Sequence, residues 1–201
     1  MDGALQARRT VSDRLQDQLD AGDFVTWRRQ MRAVLRDGGD SDVACGTCSA
    51  CCTSSQFVHI DPTETNALAV IPPELLFPAP GMAAGHLLLG YDERGHCPML
   101  VDGRCSIYVN RPQACRTYDC RVFAAAGVEL DDERTTAVAA QVRRWQFQFS
   151  SAADRDELEQ VRAAAARATG SPTRRALIAV DPPEDAGGGA GRGEGTTGRI
   201  G

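Results

Sequence analysis

The residues of this chain best suited to chemistry are its eight cysteines, all of which fall between Cys45 and Cys120 of 201 residues. Their spacing is C-x2-C-x2-C-C-x44-C-x7-C-x9-C-x4-C, made by Cys45, Cys48, Cys51, Cys52, Cys97, Cys105, Cys115 and Cys120. Two thiolates at C-x2-C spacing project their sulfurs onto one ion across a tight turn, and Gly46 inside the first pair eases the backbone that such a turn needs. One such pair is a weak signal. Two overlapping pairs, an adjacent Cys52 and four later cysteines point to metal or cluster ligation rather than to eight small hydrophobes. In a reducing compartment thiols stay free unless a metal or a catalytic cycle claims them, so structural disulfides are the weaker expectation.

Cys45, Cys48 and Cys51 repeat the spacing that opens a bacterial ferredoxin run, but such a run continues C-x3-C-P, and here Cys52 follows at once. Adjacent cysteines rarely aim at one small ion, so Cys51 and Cys52 are expected to serve different metals, or one of them to act as an outer donor. On a helix, Cys45, Cys48 and Cys52 share a face; in a turn, Cys45, Cys48 and Cys51 converge. All-thiolate ligation suits zinc and an iron-sulfur cluster equally, so the cofactor expected is zinc or iron, the latter as a cluster in the redox reading. Eight cysteines also match two closed four-thiolate sites, which favours a structural or interaction module over an enzyme.

Eight thiolates on two zinc ions leave a formal charge of about −4, which needs compensation nearby. Arg104, Arg111, Arg116 and Arg121 interleave with Cys105, Cys115 and Cys120 and are expected to bond sulfurs and carboxylates around the metal. Their rival role is an anion clamp at Arg111 or Arg116. His96, beside Cys97, is placed to add a nitrogen ligand or an outer bond, whereas His59 and His86 lack ligand-like spacing and read as hydrogen-bonded structural imidazoles. Tyr108 and Tyr118 read as packing residues with bonded hydroxyls.

The elements that must position these residues are short. Apolar positions Leu15, Leu19, Trp27, Met31, Val34 and Leu35 recur mostly at three and four, predicting two amphipathic helices split at Gly22-Asp23. Gln56 to Ile60 alternates like a strand, and Asp61-Pro62-Thr63-Glu64 opens a helix that runs to about Ala69. From Pro78 to Gly85 the chain reads as loop. Asp102-Gly103 between two short runs predicts a hairpin over 98–108 with a type I′ turn, and Pro112 starts a short helix from Arg111 to about Arg121. Farther on, Val138, Val142, Trp145 and Phe149 follow a helical period, Ser151 with Asp154 forms a capping box, and Ala176–Val180 is a further short element. The expected architecture is α+β: a small irregular cysteine-cluster metal-binding core with a β-hairpin, flanked by amphipathic helices. The expected boundaries are 1–40 for an N-terminal helical segment, 41–125 for the metal-binding domain, 126–183 for C-terminal helices packing on it, and 184–201 for a disordered tail, eight of whose eighteen residues are glycine.

Composition narrows the function classes. No lysine occurs, so all 22 basic residues are arginine, which excludes Schiff-base chemistry and the lysine-dependent phosphate loop. The net charge of −5 is spread without a basic segment, which disfavours nucleic acid and an anionic membrane surface as partners. Neither a secretory h-region nor an eighteen-residue apolar run occurs, so the expected location is cytoplasmic. The partners expected are a metal ion and a protein.

The blocks Cys45-Gly-Thr-Cys48-Ser-Ala-Cys51-Cys52, Cys97-Pro98-Met99-Leu100, Gly103-Arg104-Cys105-Ser106-Ile107-Tyr108 and Arg111-Pro112-Gln113-Ala114-Cys115-Arg116-Thr117-Tyr118 resemble the YkgJ-type cysteine-cluster proteins, which carry the CxxCxxCC zinc- or iron-chelating domain. The blocks occur in family order over about 75 residues. The resemblance implies that Cys45, Cys48, Cys51, Cys52, Cys97, Cys105 and Cys115 hold metal, and it leaves Cys120 outside the shared pattern. Members are often labelled iron-sulfur oxidoreductases, which makes electron transfer the alternative function, although no dinucleotide, methyl-donor or hydrolytic motif is visible in this chain.

Overall fold

A computed structural model of the chain describes residues 18–41, 43 and 47–183. Cys45 and Gly46, the first expected helix around Leu15 and the glycine-rich tail all lie outside the described residues. The principal elements are β1 (Leu19–Asp23), α1 (Phe24–Asp37), a single 3-10 turn at Ala50–Thr53, β2 (Val58–Ile60), α2 (Thr65–Leu68), β3 (Leu76–Pro78), β4 (Leu87–Leu89), β5 (Leu100–Val101), β6 (Arg104–Cys105), α3 (Gln113–Arg116), α4 (Arg121–Ala126), α5 (Thr136–Val142), β7 (Trp145–Gln148), α6 (Ala152–Arg167) and α7 (Pro172–Val180). The fold class is α+β, with three small sheets ordered β1-β7, β2-β4-β3 and β5-β6.

Two expected helical runs are corrected by one parallel strand pair. Leu19 lies opposite Trp145, and Asp23 opposite Gln148, so both segments are extended where a helical period was expected. The reason is visible in Trp145-Gln-Phe147-Gln-Phe149: aromatics alternate with glutamines, and β7 buries Trp145 while exposing Gln146 and Gln148. Asp23 then ends the strand and caps α1, its Oδ1 accepting from the Thr26 amide at 2.9 Å.

These outer elements enclose the main apolar core. Phe24, Trp27 and Met31 of α1 pack with Val122, Phe123, Ala125 and Ala126 of α4, Val138, Trp145, and Leu158, Val161, Ala176 and Val180 of the two last helices. Ser151 and Asp154 form the expected capping box on α6, and Ser151 Oγ accepts from the Asp154 amide. Ala176–Val180 belongs to α7, and Arg32 and Arg36 of α1 bind Asp181 just past its end at 2.8 Å each.

The cysteine segment has a separate and smaller core. Ile60, Ala67, Ile71, Leu89 and Met99 form it, with Cys97 and Ile107 packed at its edge. The helix expected from Asp61 is only Thr65–Leu68, preceded by a turn in which Asp61 Oδ1 accepts from the Thr63 amide at 2.9 Å. The loop expected over 78–85 is flanked by β3 and β4, which complete a three-stranded sheet with β2. Asp102 and Gly103 have φ of 50° and 75°, the paired left-handed residues of a type I′ turn, and Leu100 faces Cys105 across the hairpin. The helix expected over 111–121 is broken into α3 and α4, because the Asp119 side chain turns inward and accepts from the Arg121 amide at 2.9 Å.

Candidate metal centre

Four separate pieces of chain carry cysteines toward one another. The 3-10 turn at Ala50–Thr53 holds Cys51 and Cys52, whose sulfurs are 4.0 Å apart. The Cys97 amide donates to the Cys52 carbonyl at 2.7 Å, which ties the second piece to the first. Ser106 donates its amide to the Met99 carbonyl at 2.9 Å, folding the hairpin so that Cys105 approaches Cys97. Helix α3 brings Cys115, and its start is held by Glu64, whose carboxylate accepts from the Gln113 amide with one oxygen and from the Asp61 amide, at 2.9 Å, with the other.

The electrostatics agree with this gathering. Burial, then like charge from Cys51, Cys97 and Cys105, pushes the Cys115 thiol up to about 12, and Arg111 opposes the shift. Cys97 is raised by burial and then by Cys105 and Cys51. The adjacent pair splits: the Cys52 thiol bonds to Cys51 and lowers it to about 7, and the same bond, with burial, raises Cys52. The Cys51 and Cys52 sulfurs lie 4.0 Å apart, close to the separation of about 3.8 Å between two thiolates bound to one tetrahedral ion at about 2.3 Å. Among the described residues, no three or more His, Cys, Asp or Glu side chains are arranged to hold an ion as they stand. The set fits a soft divalent metal by its chemistry and by the loops that gather it.

Cys48 is half-buried just before the turn. Cys120 sits elsewhere: it is buried in the main core, and its sulfur accepts from Trp145 Nε1 at 3.1 Å. Arg111, Arg116 and Arg121 meet carboxylates. Arg111 and Arg116 both reach Asp40, at 3.4 and 3.2 Å, and Arg111 lies over the Tyr108 ring at 4.2 Å. Arg121 is buried against Asp119 at 2.7 Å, and the same carboxylate accepts from Trp27 Nε1 and Ser41 Oγ, each at 3.0 Å. His59 and His86 bond to each other, Nε2 to Nδ1, at 3.0 Å with stacked rings. His96 donates its backbone amide to Asp92 at 2.8 Å. A pocket of about 500 Å³ is lined by Asp61, Glu64, Asn66, Gln113 and Arg116 among others, and no cysteine lines it.

Sequence reasoning did not single out Asp40, which is distant in the chain from Arg111 and Arg116, or Asp119, which joins its neighbour Arg121 to the distant Trp27 and Ser41. It also read the Tyr118 hydroxyl as bonded. That hydroxyl is buried without a hydrogen-bond partner.

A clustered set of thiols on loops, stapled to a small apolar core, defines a cysteine-cluster domain. Residues 44–141 match the model of the CxxCxxCC family, described as a candidate zinc- or iron-chelating domain. No curated protein and no solved structure matches the chain. No helix among the described residues is long and apolar enough to cross a membrane.

Proposed function

We propose that the chain is a metal-binding protein in which Cys48, Cys51, Cys52, Cys97, Cys105 and Cys115, with Cys45, hold zinc or iron, and in which the metal has a structural or interaction role within a domain spanning about 41–125. The observation that carries this reading is the convergence of Cys51, Cys52, Cys97, Cys105 and Cys115 from four chain segments onto one region. Among the described residues the apolar core beneath that region contains five buried side chains, so a bound metal would supply cohesion that packing there does not. Bound metal would hold the thiolates and fix the loops that carry them. The protein's own share is to deliver the sulfurs and neutralise them, with Arg111 acting on Cys115.

Arg111 and Arg116 support the module over an anion-binding enzyme, since both are engaged by Asp40. The interaction role draws on Val101, Tyr108 and Val109, which are exposed by 53, 61 and 86% around the hairpin that carries Cys105. Anaerobic purification with elemental analysis for zinc, iron and sulfide, and a visible spectrum, tests the reading. A colourless chain with stoichiometric zinc or mononuclear iron supports it. Iron with acid-labile sulfide and broad visible absorption would move the function to an iron-sulfur oxidoreductase or electron carrier.

A further inference from the structure

We propose that Asp40 is a positioning residue for the Cys115 ligand: its carboxylate bridges Arg111 and Arg116, on either side of that cysteine in the chain, and holds α3 where it presents the sulfur. The inference rests on the metal-binding reading above and deepens it.

The first observation is that α3 cannot hold itself. It has four residues, and Pro112 at its start supplies no side-chain cap, so it is far shorter than a helix that is stable through its own bonds. Its place is set from outside, and the Glu64 carboxylate accounts only for its start.

The second observation is a strap laid along α3 by residues 38–41. Asp40 meets Arg111 with Oδ2 at 3.4 Å and Arg116 with Oδ1 at 3.2 Å, one oxygen to each guanidinium. The Gly39 carbonyl accepts from Gln113 Nε2 at 2.7 Å, and the Ser41 amide donates to the Arg116 carbonyl at 2.8 Å. The strap is itself fixed at both ends. Gly38 donates its amide to the Val34 carbonyl of α1 at 3.1 Å, and Ser41 Oγ donates to the buried Asp119 at 3.0 Å. The short helix that carries Cys115 is thereby tied to the main core.

Charge and position make opposite demands on this residue. A carboxylate near thiolates repels them, and two arginines freed of it would favour them, so charge alone predicts that deleting Asp40 tightens metal binding. Position predicts the reverse. Without the bridge, α3 must be ordered by the metal itself, and fixing the backbone of a single residue is equivalent to about a tenfold loss of affinity.

Asp40→Ala removes both oxygens from an exposed site. Zn²⁺ affinity of the full chain, measured anaerobically under reducing conditions by competition with a chromophoric chelator, is expected to fall about tenfold. The metal-free variant is expected to melt within about 4 °C of metal-free wild type, because ion pairs open to solvent contribute little to folding. At saturating Zn²⁺, iodoacetamide is expected to label Cys115 faster than in wild type while Cys97 and Cys105 stay as protected, read by peptide mass spectrometry. An affinity equal to or above that of wild type overturns the inference and leaves the metal reading intact. A larger fall in melting temperature, or faster labelling shared by all three cysteines, also overturns it, since either marks a loss of folding rather than of orientation. A wild-type chain that takes up neither Zn²⁺ nor Fe²⁺ removes the metal reading and this inference together.

Discussion

Cys51 is the thiol that ionises most readily among those whose environment shifts them. Its sulfur contact with Cys52 lowers it to about 7, while burial and like charge push Cys115 up to about 12. The thiolate is the nucleophile, so iodoacetamide at pH 7.5 is expected to label Cys51 well before Cys115 in metal-free chain, as read by peptide mass spectrometry. Cys52→Ser should shift the pH midpoint of that labelling upward, because a hydroxyl at another distance no longer supplies the same thiol donor. A second residue-scale prediction concerns Asp119. It neutralises the buried Arg121 and accepts from Trp27 and Ser41, so Asp119→Ala leaves a buried guanidinium without its carboxylate. The expected loss is about 3–5 kcal/mol in urea unfolding, the range for one removed partner of a buried pair. A loss below 1 kcal/mol would show that the pair is dispensable.

At the scale of elements, the docking of α1 on the end of α7 is titratable. Arg36, and then Arg32, donate to Asp181 and hold its carboxyl below the usual carboxylate range, against burial, which raises it. A depressed folded pKa means stability that is fully present above the unfolded carboxylate value, about 3.9, and is lost as pH falls through the lower folded value. Asp181→Asn should therefore lower the urea midpoint at pH 7 and pH 5, and the gap from wild type should narrow toward pH 3. A gap independent of pH would assign the effect to packing instead. Ser151→Ala, which removes half of the α6 capping box, is expected to cost about 1 kcal/mol in the same assay.

The elements also show how far the sequence could be read. The Asp102-Gly103 turn and the Ser151 cap were legible because each depends on residues adjacent in the chain. The β1–β7 pair was not, since Leu19 and Trp145 satisfy a helical period and a strand period alike over so few residues, and only their contact across the fold decides between them. In the site, cysteine spacing pointed to the segments whose thiols the fold gathers. The position of Cys120 beside Trp145, and the pairing of Asp40 with two distant arginines, depend on tertiary neighbours that spacing does not encode.

For the whole molecule, two cores of unequal size imply two levels of stability. The larger joins α1, α4, α6 and α7, and the smaller lies under the cysteine loops. Chelation under reducing conditions is expected to raise amide exchange at Ile60, Leu89 and Met99 while Phe24, Val138 and Val161 keep their protection. Uniform loss of protection would mean that the cysteine region and the main core unfold as one unit.

The parallel pair of β1 with β7 carries one more consequence, for how the protein is made. On the ribosome Leu19 is synthesised long before Trp145, and every cysteine emerges in the interval between them. The clasp cannot close until its second half is available, and closing so long a loop is entropically slow. The cysteine segment is thus translated in full before the strand pair can close. A metal ion supplied during synthesis would meet an unclasped chain, and one supplied after release would meet a chain whose β1–β7 pair has closed.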